Sequence, residues 1–266
     1  MIMNKRILYI LSALALFAFA SCTNEDEPIA AMQNGEIRFY VEDTTQVEIE
    51  SKAISGLDVK DFNIALSHND KWIFSSRKYK DIKGTSITCG AGAGYVATAE
   101  SCTEGEAERA NNGWGQVRVA GRQEFTVKPI EPTDVNIKCA LANTSVSVVF
   151  SDFVQKHFSD YSITIHAADA EGRKFTFNKD NHVYKTAYFN VASSNRALQY
   201  TTSLTQPGAK EPQTHTSNLT LEPGVSYKIT VKLKDESVSK LSIQITKIDG
   251  TLVGEEELNV KINPYN

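Results

Sequence analysis

Cysteine is scarce in this sequence, with four in 266 residues. Beyond Cys22 the three are Cys89, Cys102 and Cys139, an odd number. That excludes a small scaffold stapled by paired disulfides. Catalytic and nucleotide signatures are missing too. There is no His-Glu-x-x-His pair and no Gly-x-Ser-x-Gly elbow. The glycine tract Gly90–Gly94 is followed by neither Lys-Ser/Thr nor a helical pattern, so it lacks what a phosphate cradle needs. It reads as a tight turn into the strand Tyr95–Ala99. Past residue 21 no run is long or apolar enough to span a bilayer, which takes roughly 20 apolar residues. These absences argue for a protein that is not an enzyme and carries no cofactor and no metal.

The first residues are the most informative. Lys5 and Arg6 precede the apolar run Ile7–Phe19, and small Ala20 and Ser21 follow. This is the pattern of a signal peptide over residues 1–21. Phe19-Ala20-Ser21-Cys22 resembles the lipobox of bacterial lipoproteins in its looser Bacteroidetes form, with Phe19 where leucine is usual. That resemblance implies a diacylglycerol on the Cys22 thiol and an outer-membrane anchor; a secreted protein with an incidental Cys22 is the alternative. Two or more acyl chains hold stably where one holds marginally. Residues 22–35 read as a lipidated flexible tether. Its Glu25-Asp26-Glu27 resembles the surface-export signal of Bacteroidetes lipoproteins, which implies the cell-surface face. The alternative is a solvated acidic linker on the periplasmic side. Removing Lys5 and Arg6 leaves 26 basic residues against 32 acidic ones, a net charge of −6. A nucleic-acid partner would need a clustered basic face.

From Ile37 onward apolar residues recur at every second position, as in Ile37, Phe39, Val41 and in Phe62, Ile64, Leu66. Val146, Val148, Phe150 and Tyr161, Ile163, Ile165 repeat it, as do Tyr227, Ile229, Val231, Leu233 and Leu241, Ile243, Ile245. Glycine and asparagine clusters such as Asn111–Gly115 separate the runs. Period two with one polar face marks antiparallel sheets. The expected fold is therefore all-β, two antiparallel β-sandwich domains. Lys128-Pro129-Ile130-Glu131-Pro132-Thr133 looks like the boundary, since two close prolines do not fit a central strand. It divides residues 36–128 from 134–266. One short helix is expected over Ser151–Phe158.

Several residues invite a functional reading beside a plain one. Trp114, Tyr184, Tyr188 and Tyr200 could stack on sugar rings or pack in a core. Asp180 and Asn181 suit calcium or a polar turn. The histidines His68, His157, His166, His182 and His215 are scattered, and a zinc site would need tertiary contacts the sequence does not display. Cys139 shares a strand face with Val135 and Ile137 and reads as a small buried hydrophobe. A Cys89–Cys102 bond is disfavoured if Tyr95–Cys102 is one extended arm of a hairpin. Asp43-Thr44-Thr45 resembles the short O-glycosylation site of exported Bacteroidetes proteins, with a plain turn as the alternative. The terminal run Leu258-Asn259-Val260-Lys261-Ile262 alternates and could pair at home or be donated to another chain.

Gly94–Ala99, Gly121–Val127, Asn136–Val148, Phe158–Tyr161 and Ala187–Phe189 come in one order, with Cys139, Leu141, Ala142 and Asn143 forming the most specific block. The block reads physically as strand, tight turn at Asn143-Thr144, strand. Together these stretches, over roughly Ile37–Asn263, resemble an uncharacterised Bacteroidetes lipoprotein family, a domain of unknown function often called fimbrillin-like or adhesin. The resemblance implies a cell-surface, pilus-type protein whose partners are other pilus-type proteins. A glycan-binding accessory lipoprotein of a polysaccharide-uptake system is the alternative. No ligand-binding residues are implied.

Overall fold

The computed structural model describes residues 34–43, 57–167, 173–191, 196–235, 238–247 and 250–258. Strand dominates them. The N-terminal half holds β1 (Asn34–Asp43), β2 (Asn63–His68), β3 (Lys71–Lys78), β4 (Ile87–Gly90), β5 (Gly92–Glu100), β6 (Val119–Val127) and β7 (Pro132–Leu141). Their order in space is β3-β2-β5-β6-β7-β1-β4. β6 and β7 are joined by only two pairs, Val119 with Leu141 and Ala120 with Ala140. The strands on either side of that narrow join send Ile64, Leu66, Ala97, Phe39, Val135 and Ile137 into one buried cluster.

The C-terminal half holds β8 (Thr144–Phe150), β9 (Asp160–Ala167), β10 (Lys174–Asn178), β11 (Ala187–Phe189), β12 (Arg196–Thr205), β13 (Gln213–Leu221), β14 (Ser226–Asp235), β15 (Val238–Lys247) and β16 (Leu252–Leu258). They form a four-stranded sheet, β10-β9-β12-β13, and a five-stranded one, β11-β8-β14-β15-β16. The alternating positions Val146, Val148, Phe150, Ile163, Ile229 and Ile243 are all essentially inaccessible and meet in a second cluster fed by both sheets. The all-β expectation holds, and so does the face assignment of these runs.

Two expectations need correcting. The sheets are not purely antiparallel: β1 runs parallel to β7, and β8 parallel to β14. Alternation reports which face is buried, not which strand lies alongside. The Pro129/Pro132 stretch is a turn inside the N-terminal half rather than a break between halves. Pro132 opens β7, where a missing N–H is tolerated. Val135, Ile137 and Cys139 beyond it lie in the first cluster. The chain passes between clusters at Ala142-Asn143, and the strands on either side of this short connection, β7 and β8, lie in different sheets. The glycine tract likewise joins strands that do not pair, since β4 lies on β1 while β5 lies between β2 and β6. The Tyr95 hydroxyl donates to the Gly90 carbonyl at 2.6 Å and holds that crossing.

The expected helix over 151–158 is present as Asp152–His157, with Val154 and Phe158 buried. Among the described residues two further α-helices were not anticipated. In chain order the three are α1 (Tyr79–Ile82), α2 (Glu104–Arg109) and α3 (Asp152–His157). α2 opens on a capping box: the Thr103 hydroxyl accepts from the Glu106 N–H while the Glu106 carboxylate accepts from the Thr103 N–H.

Candidate functional site

The expected anchor Cys22, the leader, the acidic triplet Glu25–Glu27 and the Thr44-Thr45 pair lie outside the described residues. The aromatic candidates do not. Trp114 leaves the N-terminal half on a loop in which Asn111, Asn112, Gly113 and Gly115 all have left-handed backbone, with φ of 51°, 57°, 85° and 86°. Such a run suits asparagine and glycine. It sets the indole against Phe175 and Phe177 of the other half, at 5.2 and 5.0 Å between ring centroids. The Lys185 ammonium covers Trp114 at 5.3 Å. Tyr188 lies half-buried beside it, its N–H donating to the Trp114 carbonyl at 2.9 Å. A side chain at Gly115 would collide with the Tyr188 Cβ at 2.8 Å.

Polar groups complete this joint. Arg173 donates to the Glu108 carboxylate and to the carbonyls of Gly113 and Tyr188, each at 3.0 Å. Asn190 Nδ2 donates to the Glu104 carbonyl at 3.0 Å. Asn143, 1 % exposed, explains its place in the sequence block singled out above. Its Nδ2 donates to the Gln116 carbonyl and its Oδ1 accepts from the Arg118 N–H, which ties the passage between halves to the Trp114 loop. Tyr200 is fully buried, and burial pushes its hydroxyl pKa strongly up. Of the four aromatics proposed as a sugar platform, only Tyr184 is well exposed. The platform is not assembled.

The sequence reading passed over Lys71-Trp72-Ile73-Phe74. A two-residue turn at Asn69-Asp70, both left-handed, folds β3 back on β2. Register shifts follow, so that Ser67 pairs with Trp72 and Leu66 with Phe74. Phe74 turns inward onto Phe39, while Trp72 is 63 % exposed and Ile73 44 %. β3 ends the sheet, and no described strand lies beyond it. On the outer face, Trp72 lines up with Ser67, Val96 and Glu124 across β3, β2, β5 and β6. The next row runs through Ala65, Thr98 and Arg122. An open trough follows, lined by Thr98, Glu100, Arg118, Ala120 and Arg122. Arg122 is paired with Glu124 and Arg118 with Glu100 at 3.0 Å.

The remaining candidates are structural. Asn181 Oδ1 accepts from the Asn178 N–H and Asn178 Oδ1 from the Asp180 N–H, so Asp180-Asn181 forms a polar turn. The five histidines have separate partners: His68 stacks on Tyr95, His157 on Phe153, His166 meets Gln199 and His215 meets Glu256. His182 is buried against Phe150 with Nδ1 unpartnered, and burial pulls its pKa down. Among the described residues no three His, Cys, Asp or Glu side chains converge as a metal site, and no helix is long and apolar enough to cross a membrane. Cys89, Cys102 and Cys139 are all buried thiols, and Cys139 lies in the N-terminal core as read from its strand face. Leu258 is buried at the end of β16, opposite Leu241; residues 259–262 of the terminal run lie outside the described residues.

No curated protein matches the chain. Among solved structures it is similar to a fimbrial assembly protein from Parabacteroides distasonis, at 12 % identity and a TM-score of 0.47, covering 85 % of this chain and 98 % of that one. A fimbrial anchor protein from Porphyromonas gingivalis matches at 10 % identity and a TM-score of 0.42, covering 84 % and 99 %. A family model, the domain of unknown function DUF4493, matches residues 33–264. That span is far more than half of the sequence, and the chain belongs to this family.

Proposed function

We propose that this chain is a non-enzymatic adhesion protein of the outer-membrane surface, lipid-anchored through Cys22 and of the pilus-type, fimbrillin-like class. Its two buried clusters are read as two sandwich domains that divide at Ala142-Asn143. The observation that carries the reading is the end strand β3, where Trp72 and Ile73 stand exposed beside a strand edge on which no described strand pairs. Exposed aromatics and free edges are what one chain uses to engage another surface. The competing uptake-system reading drew on four aromatics, three of which are engaged in packing. The test compares attachment of cells that display the chain, its Cys22→Ala variant and its Trp72→Ala variant, with sizing of the purified chain for higher-order assembly. Attachment lost in both variants supports the reading. A strict monomer that mediates no attachment, or turnover of any substrate, contradicts it.

A further inference from the structure

We propose that the outer face bounded by Trp72 and the Arg122–Glu124 pair is a binding site for a neutral saccharide; the inference rests on the adhesion reading above and names its ligand class. The floor of that face is made of small side chains, Ser67, Ala65, Val96, Thr98 and Ala120, arranged by register across β2, β5 and β6. Four strands at about 4.8 Å spacing give a face about 14 Å wide from β3 to β6, room for a few sugar rings laid flat. On one side stands the indole of Trp72, which makes no ring or cation contact among the described residues. Tryptophan supplies a large, rigid apolar surface with a polar edge, suited to the C–H face of a pyranose. On the other side and at one end stand Arg122–Glu124 and Arg118–Glu100.

The charges decide the class of ligand. Both arginines are already engaged, Arg122 by Glu124 and Arg118 by Glu100 and Glu104, so neither guanidinium is open to an anion. An anionic sugar would have to break these pairs, and a cationic one likewise. A neutral polyol leaves them intact, because the single Arg122–Glu124 pairing consumes only part of the five N–H donors of a guanidinium and the roughly four acceptor positions of a carboxylate, while Arg118 is held by Cys102, Glu100 and Glu104. Hydroxyl groups are met by the unused ones. An apolar protein partner would cover Trp72 and Ile73 but would desolvate the ion pairs beyond them without replacing their water.

The chain has only two tryptophans, and Trp114 is packed between Phe175, Phe177 and Lys185, so protection of Trp72 can be read directly. Acrylamide quenching of the intact chain is followed during titration with cello-, malto-, manno- and xylohexaose, with oligogalacturonate as the acidic control. One of the neutral hexaoses is expected to protect the exposed fluorescence saturably. Calorimetric titration with that hexaose should show binding at least about tenfold weaker in Trp72→Ala, the scale of an aromatic anchor. Binding by Tyr184→Ala should be unchanged, and Arg122→Ala should weaken binding without altering thermal stability. The proposal is overturned if none of the four protects, if only the acidic control does, or if Trp72→Ala binds as well as the parent. Cell attachment that persists in those cases and is lost in Trp72→Ala would leave the adhesion reading standing without the saccharide.

Discussion

The two tryptophans stand in opposite roles. Trp114 leaves one half of the molecule and closes on the other, its ring faces occupied by Phe175, Phe177 and Lys185. Trp72 stands on the end strand of the first sheet, 63 % exposed and with no described ring or cation stacked on it. The difference teaches that an aromatic beside a glycine-rich loop can be a packing device. Here the left-handed backbone of Asn111–Gly115 is what lets Trp114 reach the second core. A bulged end strand, by contrast, can turn a large apolar side chain to the outside, since an extra residue on one strand re-aims its neighbours.

The comparison breaks most visibly at Trp114. Trp114→Ala is expected to cost about 3 kcal/mol of stability in urea unfolding, through lost burial and a cavity at the joint. Arg173→Met is expected to cost about 2 kcal/mol in the same assay. It takes the guanidinium away from the Glu108 carboxylate and from two carbonyls in a largely buried place. His182 sharpens the contrast by pH. Its folded pKa lies below the ordinary 6.5, so the unfolded chain takes up a proton first as pH falls. The stability it supports is complete above about 6.5 and declines below, and urea midpoints at pH 7 and pH 5 should differ more in the parent than in His182→Leu. The smallest effect belongs to Trp72→Ala, within about 0.5 kcal/mol, because an exposed side chain leaves no cavity.

Much of this fold was legible in the residues. Val146, Val148 and Phe150, or Tyr227, Ile229 and Val231, announce a strand and its buried face, and the structure buries those very side chains. The helix at 152–157 was likewise readable. The capping signal Thr103-x-x-Glu106 was present but lay in a polar stretch without apolar periodicity, and α2 was missed. The parallel pairings of β1 with β7 and β8 with β14 left no local trace, since partners far apart in sequence are chosen by the whole core. Pro129 and Pro132 signalled a turn correctly and a boundary wrongly, because a proline at a strand's first residue disturbs nothing. The candidate site was hidden for a related reason. Asn69-Asp70 after Ile64 and Leu66 marks a hairpin, but only the register shift shows that Trp72 faces out while Phe74 faces in.

The most direct test of this division between the tryptophans is acrylamide quenching of Trp72→Phe, in which Trp114 alone emits. The account predicts quenching several-fold shallower than in Trp114→Phe, where Trp72 alone emits, with the difference vanishing in concentrated urea. Equal quenching of the two folded variants would contradict it.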